Sequence, residues 1–212
     1  MRDLVPGHLH PTFRDLSADL SHRIAAAKLP IQPYEGWRDP NRQVELYAFG
    51  RASGVGVPGR HKTFERAWES SHQHGMAEDW VWWVNGQWSW APPPGYTWDE
   101  FHEHVDAVGL VRLKFEEPHV QMPGFNARKI LAGAATYPAG GDEEWEANIE
   151  AAALAWGLLE KKDRYGLVQP GAPHILVSGQ RPAIPVPDGM VYDEERGLCY
   201  PEPDVPESSP GS

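Results

Sequence analysis

The chain has 212 residues, of which 41% are hydrophobic and 23% charged, and this suits a globular protein with one core and an appendage. The formal net charge of −11 excludes nucleic-acid binding through a general basic surface, because phosphate contacts need clustered lysine and arginine. The single cysteine, Cys199, excludes an internal disulfide and a Cys2His2-type zinc site.

No segment approaches the roughly 20 apolar residues of a membrane span. The first residues, MRDLVPGHLHPTF, also lack the apolar core of a signal peptide. We therefore expect a protein that is made in the cytoplasm and does not insert into membranes. We also expect a monomer. If its target lies outside the cytoplasm, another agent must release it.

The N-terminal part of the chain predicts a helix, a strand and a second helix. In residues 11–30, apolar side chains recur at intervals of three and four, so they share one helix face. Residues 31–38 predict a short strand that leads into a loop. Residues 39–53 predict a helix that Asp39 caps, with Pro40 in its first position.

The middle of the chain predicts a hairpin, a helix and a strand. Residues 78–90 predict a β-hairpin, because Asn85-Gly86 is the strongest two-residue hairpin signal. Residues 97–110 predict a helix that begins with a capping box. Residues 111–122 predict a single strand.

After about Gly124 the composition changes. Residues 141–166 predict a long alanine-rich helix with acidic residues first and basic residues last, as the helix dipole favours. Residues 174–187 predict an extended segment, and the last residues are rich in Pro, Ser and Glu. We predict four regions: a core over residues 1–124, a helical region over 125–165 that packs on the core or docks a partner, an extended Pro-rich segment over 166–200, and a disordered tail over 201–212.

The stretch SSHQHGMAEDWVWW, residues 70–83, contains three side chains that can bind a metal: His72, His74 and Asp79. Histidine and carboxylate together suit zinc, and a catalytic zinc site needs three protein ligands and one open position. His119, at the end of a predicted strand in FEEPHV, supplies the third ligand. Glu116, three residues earlier, is placed to act as a general base.

Other interpretations of the histidines stay open. A histidine-rich turn alone is usually a surface feature. His102 and His104 lie two apart on a predicted helix, so they point to different faces and cannot easily share a metal. His74 is two residues from His72, which makes it a residue of the substrate cleft or of the surface.

These residues carry a resemblance to a known family. Residues 70–79 fit the pattern Ser-x-His-x-x-Gly-x-Ala-x-Asp, EEPH fits Glu-x-x-His, and EGWRDPNRQ supplies an upstream Gly-aromatic-Arg turn followed by a glutamine. The chain resembles, over roughly residues 9–121, the zinc D-alanyl-D-alanine carboxypeptidase and L-alanyl-D-glutamate endopeptidase family, which cuts peptidoglycan stem peptides. The resemblance leaves the remainder of the chain unexplained.

The resemblance implies an α+β fold: a small antiparallel β-sheet flanked by helices, with a zinc cleft. The alanine-rich pattern after Gly124 adds a predicted helical C-terminal extension. The resemblance implies one zinc ion per chain. It also implies that Glu116 deprotonates the attacking water and that Arg38 stabilises the oxyanion of the tetrahedral intermediate. The metal ligands that it implies are His72, Asp79 and His119.

Four further residues are candidates for substrate binding. Ser70 either orients substrate or serves as a turn residue. Gln43 either supports Arg38 or is a helix residue without a role in the site. Trp37, beside Arg38, is expected to line the cleft, and His74 is the fourth candidate.

Two positions depart from the family pattern. Glu117 competes with Glu116 for the role of base, but adjacent strand residues face opposite sides, and the spacing favours Glu116. Glu78 stands where the family often has a small aliphatic residue, and we expect its side chain to face away from the metal. The tryptophans of the predicted hairpin either pack in the core or line the cleft and stack on glycan.

The leading hypothesis is a phage-type endolysin that cuts the L-Ala–D-Glu bond of the stem peptide during lysis. D-Ala-D-Ala carboxypeptidase activity is the second hypothesis and uses the same chemistry. A third is a virion- or tail-associated protein, and a fourth is a catalytically dead wall-binding module of the same fold. The intact set of predicted site residues speaks against the dead module.

Overall fold

The computed structural model describes the chain over residues 2–173, 190–193 and 198–201. The chain divides into two units, Met1–Ile175 and Leu176–Ser212. The predicted extended segment 174–187 and, except for Pro201, the predicted disordered tail lie outside the described residues. Within the second unit, the structure describes one antiparallel hairpin of strands β8 (Met190–Asp193) and β9 (Leu198–Pro201).

The first unit is α+β, with an antiparallel sheet flanked by helices, and this confirms the predicted fold class. Its helices are α1 (Pro11–Ala27), α2 (Pro40–Ala48), α3 (Trp98–Ala107), α4 (Ala127–Leu131) and α5 (Glu143–Trp156). No helix in the described part of the chain is long and apolar enough to cross a membrane.

Local sequence explains where these helices begin and end. The Asp39 side chain accepts a hydrogen bond from the backbone N–H of Asn41 (2.7 Å), so α2 begins where the cap predicted it. α2 stops at Ala48 rather than at residue 53. α5 ends at Trp156, ten residues before the predicted end, because Gly157 adopts a positive φ of 88° that the helix cannot continue.

The sheet of the first unit has the order β1-β2-β5-β4, and β3 pairs with the far end of β2. Two short strands form a separate ribbon after α5. The strands are β1 (Ile31–Glu35), β2 (Ala77–Val84), β3 (Gln87–Ser89), β4 (Val111–Leu113), β5 (Glu116–Gln121), β6 (Lys161–Lys162) and β7 (Val168–Gln169).

The turns of the sheet confirm one prediction and correct another. Asn85 and Gly86 both have positive φ (50° and 77°), as the predicted tight hairpin between β2 and β3 requires. Residues 111–122 form two antiparallel strands instead of one. The chain reverses at Lys114-Phe115, and the Phe115 side chain is 82% exposed.

The core lies between the sheet and the helices α1 and α3. The inward-facing Trp80 and Trp82 of β2 are fully buried with Phe13 of α1 and Phe101 of α3. The tryptophans therefore divide into two groups, because those nearer the hairpin end stay exposed. The apolar spacing of α1 predicted its buried face, which includes Leu20.

Candidate metal centre

The register of the sheet brings two candidate ligands together. Asp79 of β2 lies directly opposite His119 of β5 in the antiparallel ladder, and opposite Glu35 of β1 on its other side. Side chains directly opposite each other in an antiparallel pair share one face of the sheet. Two groups that are distant in sequence are thus placed side by side by the register.

The third candidate ligand, His72, comes from a 3-10 turn over Ser71–His74 that precedes β2. Ser70 caps this turn, and its hydrogen bonds with Gln73 form a capping box. Gly75 ends the turn with φ 67°. A Cβ atom there would lie 2.5 Å from the carbonyl oxygen of His8, so the turn requires glycine for two reasons.

The ligand atoms of His72, Asp79 and His119 converge at one point. His72 Nε2 lies 3.2 Å from Asp79 Oδ1 and 3.2 Å from His119 Nδ1, and the last two atoms are 3.3 Å apart. All three residues are buried. They form a group that could hold a metal ion, and it is the only such group of three among the described residues.

The other polar atom of each candidate ligand has a fixed partner. His72 Nδ1 lies 2.7 Å from the carbonyl oxygen of Gly36, and His119 Nε2 lies 3.1 Å from Gln121 Oε1. Because both partner oxygens accept, each outer nitrogen carries a proton, and in the neutral imidazole each inner nitrogen then presents a lone pair. Two lone pairs and a carboxylate oxygen meeting in a buried space fit a divalent cation such as zinc.

Arg38 closes the remaining side of the cluster. Its Nη2 donates to Asp79 Oδ2 (2.9 Å) and its Nε donates to Glu35 Oε2 (2.7 Å). Gln43 Oε1 accepts from Arg38 Nη1 (3.1 Å), while Gln43 Nε2 donates to the carbonyl oxygen of Glu65 (2.7 Å). Of the two sequence-based interpretations of Gln43, the structure thus shows the contact with Arg38.

Burial and neighbouring charges shift the pKa values of Asp79 and His119 in opposite directions. Burial alone would raise the pKa of Asp79, but the neighbouring His72, His119 and Arg38 hold that pKa well below its ordinary value. Burial likewise lowers the pKa of His119, yet its hydrogen bond with Asp79 and the charges of Asp79 and Glu116 leave it raised. Both shifts reflect a carboxylate and two imidazoles that share one buried space.

The cluster lies in an open cleft of about 680 Å³. Ser70, Arg38 and Glu116 line this cleft together with the three candidate ligands. Charged side chains from α2 and the long loop after it contribute further walls: Arg42, Lys62, Glu65 and Glu69. The cleft is therefore polar at its floor, where the candidate ligands lie, and large enough for a short peptide.

The two glutamates of the base motif point to different surroundings. Glu116 lines the cleft, and its charge acts on His119. Glu117 Oε2 instead lies 3.6 Å from Nε2 of His102, a residue of α3. Alternation along β5 accounts for this separation.

Two of the predicted substrate-binding residues lie elsewhere. His74 is fully buried beneath the 3-10 turn, where its Nε2 bonds to the carbonyl oxygen of Trp68 (3.1 Å). In a 3-10 turn, residues two apart differ by about 240° around the axis, so His74 points away from His72. Trp37 is also buried, and its indole N–H donates to the carbonyl oxygen of Gln73 (3.2 Å).

Glu78 also faces away from the candidate ligands. It is buried, and the hydroxyl of Ser17 donates to its Oε2 (2.6 Å). Burial, the largest influence, raises the pKa of Glu78 to about 7.

Sequence reasoning missed four residues that support the cluster. Gln121 lies two residues after His119 on a strand, and alternation could have placed it on the same face. Glu35 lies three residues before Arg38, its partner, whereas Tyr137 and Trp145 offered no local signal, because their contacts come from distant elements. The hydroxyl of Tyr137 lies 2.6 Å from His74 Nδ1, and the indole N–H of Trp145 donates to the carbonyl oxygen of His74 (3.0 Å).

Comparison with known proteins gives weak structural similarity. No family model and no curated protein matches the chain. The crystal structure of Serratia marcescens L-Ala D-Glu endopeptidase ChiX is similar over 55% of this chain and 82% of that chain, with 21% identity and a TM-score of 0.36. At this TM-score the similarity supports no assignment of function by itself.

Proposed function

We propose that the protein is a zinc-dependent peptidase that hydrolyses the stem peptide of peptidoglycan. The observation that carries the proposal is the convergence of His72 Nε2, Asp79 Oδ1 and His119 Nδ1 at the floor of an open cleft. Each outer polar atom is held by a partner that aims the inner atom at the same point. Such an arrangement is typical of a catalytic metal site, in which partners of the ligands fix their orientation.

A zinc ion bound by these ligands would lower the pKa of a coordinated water and polarise the carbonyl of a peptide. The chain's own residues supply the proton transfers. Glu116, at the cleft wall, takes the proton of the attacking water and returns it to the leaving amine. Its position beside His119, whose pKa its charge raises, supports this assignment.

Arg38 has two tasks in the proposal. It fixes the orientation of Asp79 through Oδ2, which leaves Oδ1 directed at the cluster. It also places a permanent positive charge at the cleft wall, where negative charge develops on the carbonyl oxygen. Gln43 and Glu35 accept hydrogen bonds from Arg38 and hold its guanidinium in place. Ser70 contacts substrate from the cleft wall.

The three sequence motifs support peptidoglycan as the substrate and the L-Ala–D-Glu bond as the site of cleavage. D-Ala-D-Ala carboxypeptidase activity is the second candidate, because the same motifs serve both reactions. The proposed setting is phage-induced lysis, in which the enzyme reaches the wall after release from the cytoplasm. A role in a virion or tail would use the same chemistry.

Elemental analysis combined with wall lysis tests the proposal. We expect about one zinc per wild-type chain and a fall in the turbidity of a purified peptidoglycan suspension. His119→Ala should lose both the metal and the lysis. The matched control is His22→Ala, at an exposed position of α1, which should keep both.

Mass spectrometry of the released fragments then identifies the bond. A new N-terminal D-Glu indicates endopeptidase action, and free D-Ala indicates carboxypeptidase action. A wild-type chain that binds no zinc, even after incubation with the metal, contradicts the proposal.

A further inference from the structure

Exposed aromatic rings concentrate at the cleft. In the part of the chain that the structure describes, five Phe and Trp side chains are exposed. Three of them line the cleft, and the other two continue from it through ring contacts. These five residues are Phe64, Trp83, Trp88, Trp90 and Phe115. Exposed rings clustered at one site mark a place where a ligand covers them.

Four rings on one side form a continuous surface, which we call the aromatic shelf: Tyr34, Trp83, Trp88 and Trp90. The Tyr34 ring centroid lies 5.0 Å from that of Trp90 and 5.2 Å from that of Trp88. The centroids of Trp83 and Trp88 are 4.6 Å apart across the β2–β3 ladder. Tyr34 and Trp90 line the same cleft as the candidate metal ligands, so the shelf is continuous with the site.

Trp90 offers the most exposed ring of the shelf. The Arg2 guanidinium already lies over the ring of Tyr34, 3.7 Å from its centroid. Trp90 is 55% exposed and lies in the loop that follows β3. An exposed indole combines a flat apolar face with a polar N–H edge, which suits a ligand that is apolar on one face and polar at its rim.

The substrate class identifies what covers the shelf. The stem peptide is built from alanine, glutamate and a further polar residue, none of which has an apolar surface comparable to an indole ring. In peptidoglycan, however, its first L-Ala is joined through a lactyl group to an N-acetylated amino sugar. A pyranose ring presents a C–H face that can stack on Trp90 and hydroxyl groups at its edge that stay hydrated.

We propose that the aromatic shelf binds the N-acetylated sugar that carries the stem peptide, so that the enzyme acts on peptides still attached to glycan. This inference rests on the proposed peptidase function. The position of the bound sugar also bears on which peptide bond is cut. The sugar lies one residue, about 3.5 Å of extended chain, from the L-Ala–D-Glu bond, but four residues, about 14 Å, from the D-Ala–D-Ala bond.

Two substrates that differ only in the sugar test the inference. Zinc-loaded full-length protein is given either the free stem pentapeptide, which contains both candidate bonds, or the same pentapeptide attached to its disaccharide. We expect the disaccharide form to have a kcat/KM about tenfold higher, as one good stacking contact allows. Trp90→Ala should bring the ratio of the two values close to one, and Trp90→Phe should give an intermediate ratio.

The matched control is Leu154→Ala, because Leu154 is 71% exposed on α5 and does not line the cleft. This variant should keep the wild-type ratio. An equal ratio in wild type and Trp90→Ala overturns the inference. Thermal melting of both Trp90 variants verifies that the fold is intact before the ratios are compared.

A binding measurement separates failure of the shelf from failure of the proposed function. If wild type cleaves neither substrate, the peptidase proposal fails, and calorimetry of the metal-free chain with N-acetylglucosamine tetramer decides the sugar site alone. Binding that Trp90→Ala weakens at least about tenfold supports the shelf. Absence of sugar binding overturns the inference. A sedimentation experiment that finds a dimer for wild type and a monomer for Trp90→Ala also overturns it.

Discussion

At the scale of single residues, each candidate metal ligand uses its two polar atoms for two different purposes. The outer atoms of His72, Asp79 and His119 bind Gly36, Arg38 and Gln121, respectively. The inner atom of each ligand faces the cluster. The outer bonds fix the orientation of the two imidazoles, so the inner nitrogens already point at the cluster. A preorganised set of this kind binds metal without a cost for rearranging side chains.

The two adjacent glutamates give the first prediction. Glu116→Gln removes the proton acceptor at the cleft wall, and we expect kcat/KM on the stem peptide to fall roughly 100- to 10,000-fold. The zinc content should not change, because Glu116 is not among the convergent ligands. Glu117→Gln is the matched control and should change kcat/KM less than about twofold. Loss of activity in Glu117→Gln, with Glu116→Gln active, would contradict the assignment.

His74 gives a prediction about acid stability. Burial lowers the pKa of His74 to about 4, against 6.5 in the unfolded chain, although its bond with the Trp68 carbonyl acts in the opposite direction. Between these two values the unfolded state binds more protons than the folded state. The free energy of unfolding therefore falls as pH falls from 6.5 to about 4, by up to about 3 kcal/mol.

His74→Gln should remove this contribution. Urea unfolding of wild type and variant across that pH range, with a chelator present, measures the difference in slope. The chelator excludes metal release as a cause, and the other histidines titrate equally in both proteins. Parallel pH profiles for the two proteins would show that His74 is not the group responsible.

At the scale of elements, residues after Gly124 form hydrogen bonds with the 3-10 turn that carries His72. Tyr137 bonds to the His74 ring, and Trp145 of α5 donates to the His74 carbonyl. Trp145 also packs its ring against His10 at the start of α1, with centroids 4.8 Å apart. The region that no family motif explains therefore contacts the element on which one candidate ligand depends.

Two tryptophans of α5 allow a matched test of this support. Trp145→Phe removes the donor to the His74 carbonyl, and we expect zinc affinity to fall about fivefold, the equivalent of one net hydrogen bond. Trp156→Phe removes a similar donor, to the carbonyl of Pro170, which is not a residue of the turn. It should lower thermal stability to a similar extent and leave zinc affinity unchanged. Competition with a chromogenic chelator measures the affinities, and equal losses in both variants would contradict a role for α5 in holding the turn.

At the scale of the whole molecule, the contacts of the first unit run well past the predicted core boundary at residue 124. Buried side chains of α4 and α5, among them Ile130, Trp145 and Ile149, belong to the interior of this unit. Residues 125–156 thus contribute to the same folded body as the sheet. The division of the chain by contacts falls instead at Ile175.

Two truncated chains test this division. A chain ending at residue 175 should keep the melting temperature and zinc affinity of the full-length protein, because it keeps the whole first unit. A chain ending at residue 124 should fail to fold cooperatively, since it loses the buried side chains of α4 and α5. Differential scanning calorimetry distinguishes the two. A cooperative transition in the shorter chain, with zinc bound, would show that the region after residue 124 is dispensable.

Much of the fold was predictable because its signals are local. The Asn85-Gly86 turn, the Asp39 cap and the apolar face of α1 each depend on residues close together in the chain. Predictions failed where a long-range effect decided the outcome. The position of His74 is an example, because the contacts of Tyr137 and Trp145 fix it. The reversal at Phe115, which splits a predicted strand, is a local turn that lacks the Asn-Gly signal of the other hairpin.

The sequence by itself determined the candidate ligands His72, Asp79 and His119, because histidine and carboxylate chemistry and motif spacing are properties of the chain. Their roles, like that of zinc, stay predictions until metal is measured. Only the tertiary structure decided that their inner atoms converge in a cleft and that an aromatic shelf adjoins this cleft. The reason is physical: register and side-chain contacts join residues distant in sequence, and no local pattern encodes them.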